Sequence, residues 1–137
     1  MKLIKIFLLP IILFVINCII LILNLHENNY WISILEHFLG GLFISYSYYS
    51  FILFLQDKQI ISPTNSLTLS LFIISLTGTT TVLWELAEFM VDYFFDIHMQ
   101  LGLGDTMLDM ALGILGSITA LVYIKYYKDK KTVQSHK

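Results

Sequence analysis

The sequence contains no arginine at all, and its eight basic residues are all lysines. Sequence-specific nucleic-acid readers use a clustered basic face with arginine for bidentate contacts, so that class of function is excluded. There is a single cysteine, Cys18, and it lies within an apolar run. That excludes a disulfide framework and a thiolate metal site, and leaves an inert buried thiol. The flanking VINC resembles a lipoprotein cleavage site, but Asn17 is too bulky for the small residue such a site needs before its cysteine. Only 13% of the chain is charged, whereas a soluble domain carries about 25%. The metalloprotease pattern H-E-x-x-H is missing, and Gly102-Leu103-Gly104 lacks the rest of a dinucleotide fingerprint. No serine elbow of the G-x-S-x-G type occurs.

What is present is apolar. The 137 residues are 57% hydrophobic, with a mean hydropathy of +0.76. This length is one domain, and this composition belongs in a bilayer. A spanning helix needs about 20 mostly apolar residues. Four such runs are expected, over about 3–25, 30–55, 67–95 and 106–124, followed by a basic tail over 125–137. The first opens with Lys2 and Lys5, as a signal peptide would. Its apolar run exceeds the ~7–15 residues of an h-region and no A-x-A-like site follows, so an uncleaved helix kinked at Pro10 is expected. Tyr30 and Trp31 mark an interface. The fold class expected is all-α: a polytopic integral membrane protein with a four-helix transmembrane bundle.

Four spans put all eight lysines on one side, with both termini. By the positive-inside rule that side is the cytoplasm, and the membrane expected is the bacterial plasma membrane. Of the ten acids, only Asp57 and Asp129 share that side. The others gather outward. Glu85 and Glu88 lie about 27–32 Å along the third span, near its outer boundary. His37 is about 9 Å inward along the second, and Asp109 about 6 Å inward from Asp105 on the fourth. Glu85, Glu88 and Asp92 form one stripe at i, i+3, i+7, which continues inward to Thr81 and Gly78. Asp105, Asp109, Gly113, Gly116 and Ala120 form a second stripe. His37, Gly40, Gly41 and Tyr48 form a third. Small residues mark faces where membrane helices approach closely, so these polar groups should point into the bundle.

Carboxylates at membrane depth are rarely left unanswered. With no lysine on that side, only histidine, a bound cation, protonation or open water can relieve them. Histidine with several carboxylates suits a divalent metal such as zinc, manganese or iron. The metal set read from the sequence is His37, Glu85, Glu88, Asp105 and Asp109. The catalytic set is His37, Glu85, Glu88 and Asp109, with Asp92 at the rim. Plainer readings stand beside these. Asp105 could cap a helix that it precedes, and Asp109 could sit in a first turn where the dipole tolerates an acid. Glu36 is expected to face elsewhere as a solvated acid, and Asp92 and Asp96 to lie in water. His26 and His98 are expected in loops, and Trp84 as an interfacial anchor.

The order Glu36-His37-Phe38-Leu39-Gly40-Gly41, then Trp84-Glu85-Leu86-Ala87-Glu88-Phe89 with Asp92, then Gly104-Asp105-Thr106-Met107-Leu108-Asp109-Met110 with Gly113 and Gly116, resembles the YjdF-type bacterial inner-membrane proteins. In outline it is similar to the broader VanZ-like group. The resemblance covers roughly residues 30 to 120. It implies a small polytopic membrane protein without a settled activity, with His37, Glu85, Glu88, Asp105 and Asp109 as shared polar positions. The VanZ-like association with low-level glycopeptide resistance carries no agreed mechanism.

Three functional readings follow. In the first, the cluster is a metal-dependent hydrolytic site for a lipid-linked or envelope substrate. In the second, the acids form a proton or cation relay in a transport component, with Ser70, Ser75 and Thr77 the modest inner-half candidates. In the third, they are interhelical hydrogen-bonding groups of a non-catalytic, partner-binding subunit. Membrane lipids are expected partners, with a homo-oligomer or a membrane partner protein as further ones.

Overall fold

A computed structural model describes residues 3–23, 30–95 and 99–135. Among these, every regular element is an α-helix: α1 (Leu3–Ile6), α2 (Leu8–Ile22), α3 (Tyr30–Asp57), α4 (Ser66–Phe95) and α5 (Leu103–Ser135). Among the described residues, three helices are long and apolar enough to cross a membrane: Tyr30–Asp57, Ser66–Phe95 and Leu103–Lys128. The expected first span is not among them. It is broken at Phe7, and its longer piece, α2, has 15 residues, about 23 Å at 1.5 Å per residue.

Pro10 explains the break. A proline has no N–H to give to the carbonyl four residues back, here that of Ile6. Ser47 of α3 fills the gap, its hydroxyl donating to Ile6 O at 2.6 Å. A carbonyl freed by proline at membrane depth needs such a partner, and Ile6 is buried at 3% exposure.

The helix ends follow local chemistry. At the end of α3, Gln59 takes φ 57°. Ile60 N then donates to Leu55 O and Gln59 N to Gln56 O, the pair of bonds that closes a Schellman end. Asn65 caps α4, its Oδ1 accepting from Thr68 N at 2.9 Å. Before α5, Gly102 has φ 134°, a conformation that side-chain-bearing residues avoid, and Gly102 O accepts from Asp105 N and Thr106 N. α5 does not stop at 124. It runs through the lysine tail to Ser135.

The contacts set the directions. Gly41 meets Gly113 and Gly116 meets Phe38 O so closely that a Cβ at any of these glycines would overlap a neighbour. α3 and α5 therefore run parallel in near backbone contact, as small-residue faces in membranes allow. α4 runs antiparallel against both, with Ser45 facing Thr77 at 2.7 Å. α2 lies antiparallel along α3, through Ser47 to Ile6 O and Asn17 to Glu36.

The inside is small and hydroxylated. Ser45, Ser47, Thr77 and Ser117 are fully buried, while Leu71, Phe72, Val82, Leu86 and Val122 point outward. In water this arrangement would be inverted. In hydrocarbon, large apolar groups gain nothing by turning inward, and Ser45, Ser47 and Thr77 gain hydrogen bonds, whereas Ser117 Oγ has no partner among the described residues. The exception is a compact apolar cluster of Ile52, Leu69 and Ile73, with Tyr48, Tyr49 and Leu121 packed against it. It sits toward the end where Lys58 and the lysine tail lie. The opposite end is acidic.

Candidate functional site

At the acidic end the three stripes meet. His37 Nδ1 lies 3.7 Å from Glu85 Oε1, and its Nε2 lies 3.5 Å from Asp109 Oδ2. One imidazole thus bridges α4 and α5 from α3. Both separations exceed the ~2.7–3.2 Å of a good N–H···O bond. His37, Glu85 and Glu88 each offer one ligand atom within 4.8 Å of the other two. The acids are deeply placed: Asp109 is 3% exposed, Glu85 5% and Glu88 9%.

Each acid is held by a neutral donor. Ser33 Oγ donates to both Asp109 oxygens at 3.2 Å. Gln100 Nε2 donates to Glu85 Oε2 at 3.1 Å and to Glu85 O at 3.0 Å. Trp84 Nε1 donates to Glu88 Oε1 at 2.7 Å, one helical turn away on the same face. Glu85 Oε1 is buried and accepts no hydrogen bond among the described residues. It is the oxygen that faces His37.

Of the residues read from the sequence, His37, Glu85, Glu88 and Asp109 come together. Asp105 stands one turn toward the acidic end from Asp109. It lies inside the first turn of α5, not before the helix, and its Oδ2 accepts from Leu101 N at 3.3 Å. Asp92 ties down the approach to α5: its two oxygens accept from Met99 N at 2.8 Å and Gln100 N at 2.9 Å. It is an anchor for the segment that delivers Gln100, not a solvated acid. Glu36 does not face elsewhere either. Its Oε2 accepts from Asn17 Nδ2 at 3.1 Å, so α2 is drawn onto α3 beside the cluster. Trp84 is a donor to the site as well as an aromatic near one end of the bundle. His26, Glu27, Asp96 and His98 lie outside the described residues.

Sequence reasoning missed Ser33, Gln100 and Asn17. Ser33 lies one turn before His37, and that spacing is the one signal that could have found it. Nothing in the local sequence points to the other two.

Two spaces adjoin the cluster. A cavity of about 130 Å³ lies between α2, α3 and α4, and Glu36, His37 and Trp84 are in its wall. A wider groove of about 690 Å³ opens between α4 and α5, with Glu85, Asp92, Gln100 and Thr106 in its wall. The His37–Glu85 contact stands between the two.

The chain matches the family described as Predicted membrane protein (DUF2238) over residues 3–130. It is 32% identical over 106 residues to an uncharacterized protein of Thermotoga maritima, an alignment that covers 75% of this chain and 53% of the relative. The chain thus spans about half the length of the curated relative it matches. No solved structure matches it. With helices that fit a membrane and a match along nearly its whole length, the chain belongs to the DUF2238 family of predicted membrane proteins.

Proposed function

We propose that this protein is a four-span protein of a bacterial plasma membrane, with both termini cytoplasmic. Near the outer leaflet it holds a divalent metal for hydrolysis of a lipid-linked or envelope substrate. The broken α1–α2 segment is the fourth span. The lysines supply the orientation: all eight fall on one side of such a chain. The resemblance to the YjdF-type and VanZ-like groups fits this reading through the order of His37, Glu85, Glu88, Asp105 and Asp109.

One observation carries the metal site. A nearly buried carboxylate oxygen, Glu85 Oε1, accepts no hydrogen bond among the described residues and faces a histidine nitrogen. A buried carboxyl oxygen left without a partner is costly, and a cation shared with His37 and Glu88 would satisfy it. Histidine with two carboxylates is a donor set suited to zinc or manganese, with room for a water. Asp109 then has a distinct role. It faces the other nitrogen of the same imidazole, as a carboxylate does when it fixes the tautomer and orientation of a metal-bound histidine. Ser33 holds Asp109 in turn. A metal here would lower the pKa of a bound water and so supply a nucleophile at neutral pH. Glu85, Glu88 and His37 hold it, and Gln100 and Trp84 fix the two glutamates.

Detergent-purified protein, analysed for metals beside Glu88→Ala, tests this. About one zinc or manganese per chain, lost in the variant, is the expected result. Equal metal content in both proteins would remove the site.

The relay reading draws on a different observation. Ser45 and Thr77 are hydrogen-bonded at mid-bundle and Ser117 is fully buried at the same level. Against it stand Tyr49, Ile73 and Leu121, which close the bundle on the lysine side. Cation-dependent flux in liposomes by metal-free protein would favour that reading.

A further inference from the structure

We infer that the cavity between α2, α3 and α4 is a binding slot for one acyl chain of a membrane phospholipid, presenting the lipid's polar linkage to His37. This rests on the membrane reading above and names the substrate class for the same site. The cavity is graded. Its end near the acidic side carries Asn17, Glu36, His37 and Trp84, and its deeper walls are Pro10, Leu13 and Ile44. A lipid of the leaflet at the acidic end has the same polarity, with its head group at the interface and its chain running inward. The slot and the lipid therefore match without inversion.

The surroundings fix the occupant. The slot lies at the depth of the membrane-crossing helices, beside α2, whose Leu9, Ile12 and Ile16 face outward. The medium there is hydrocarbon. A void lined by apolar atoms forfeits its dispersion contacts, and lipid chains are the molecules at hand to restore them. A cavity of about 150 Å³ with apolar walls takes a benzene-sized guest, so this one of about 130 Å³ takes a segment of one chain and not a whole lipid. The head group then lies toward the acidic end of the slot, where Asn17, Glu36 and Trp84 stand. The ester or phosphoester linkage then falls beside His37.

Gly40 makes the inference testable. A Cβ there would meet only Leu13 Cδ2, at 3.7 Å, an ordinary contact, and Gly40 lines the slot. Gly40→Leu would therefore fill the slot without forcing the backbone. The full chain, in a Trp31→Phe background that leaves Trp84 as its one tryptophan, is reconstituted in phosphatidylethanolamine–phosphatidylglycerol vesicles. A trace of phospholipid brominated in mid-chain is added, and Trp84 quenching and metal content are read on the same samples. Site occupancy by the brominated chain should be about tenfold weaker in Gly40→Leu, with metal content unchanged. Ile44→Ala, which deepens the slot, should strengthen it. Equal quenching in the three proteins overturns the slot. So does quenching by brominated fatty acid alone with none by the phospholipid, which would identify a different ligand. Should Gly40→Leu fail to fold, unchanged quenching in Ile44→Ala overturns the slot by itself. Metal without chain occupancy would leave the metal site standing and remove the slot. Chain occupancy without metal would do the reverse.

Discussion

The same three helix faces are packed in two different ways at the two ends of the bundle. Near the acidic end α3, α4 and α5 bring together His37, Glu85 and Asp109. About 18 Å deeper along the same faces they bring together Tyr49, Ile73 and Leu121 against a closed apolar cluster. Between these levels come Gly41, Thr81 and Gly113 in contact, and then Ser45, Thr77 and Ser117, all three fully buried. The chemistry changes completely from one end to the other. A buried acid is costly even short of the bilayer centre, where one costs about 2.5–3.5 kcal/mol, and an interhelical hydrogen bond returns only about 0.6 kcal/mol. Three acids in and beside one layer are therefore a net cost that the glycine and hydroxyl layers must offset. That imbalance is what separates a site from a packing device.

Gly41→Val should have the largest effect. Its side chain would collide with the Gly113 carbonyl, which is backbone and cannot yield. A loss of about 3 kcal/mol or more is expected, seen as loss of the monodisperse peak in detergent. Ile73→Ala comes next. Ile73 is fully buried in the apolar cluster, and the expected loss is about 2–5 kcal/mol in a reversible unfolding assay. By contrast, Glu85→Gln should leave the metal-free protein as stable as the parent or more so, because it removes a charge from the costly layer. Equal destabilisation by Ile73→Ala and Glu85→Gln would erase the distinction drawn between the two ends.

A smaller change sharpens the role of Asp109. Asp109→Asn and Ser33→Ala should each weaken metal binding about 10–100-fold while sparing the fold, as outer-shell partners of a ligating histidine do. Competition titration against a chelator measures it. The smallest effect concerns the break in the first helix. Ser47→Ala removes the donor to Ile6 O and should cost about 1 kcal/mol. The cost should shrink in a Pro10→Ala background, where an N–H is restored four residues on. A double-mutant cycle with no coupling would contradict this account of the break.

Much of this was legible in the residues. The stripes Glu85-Glu88-Asp92 and Asp105-Asp109-Gly113-Gly116 are local patterns at helical spacing, and helical spacing survives into the structure. The glycines at 41, 113 and 116 announce close approach because nothing else fits there. What was illegible depends on pairing between helices. Asn17 with Glu36, Ser33 with Asp109, and Gln100 with Glu85 join residues whose neighbours in sequence say nothing of each other. Glu36 and Asp92 read as solvated acids because each partner comes from elsewhere in the chain. For Asp92 the partners are backbone N–H groups of Met99 and Gln100, which no side-chain pattern reveals. Pro10 was visible as a kink, but the hydroxyl that answers it, on Ser47, was not. The buried serines and threonines of α3 and α4 vanish into an apolar average when only hydropathy is read.

His37, Glu85 and Glu88 each place one ligand atom within 4.8 Å of the other two, and the proposed cation at this point can be tested with a spectroscopic metal. Titration of chelator-treated protein with Co²⁺, followed by visible absorption, addresses it directly. A band that saturates near one equivalent and is lost in both His37→Ala and Glu88→Ala is expected. A band that persists in those variants, or none at any Co²⁺ concentration in the parent, would contradict it.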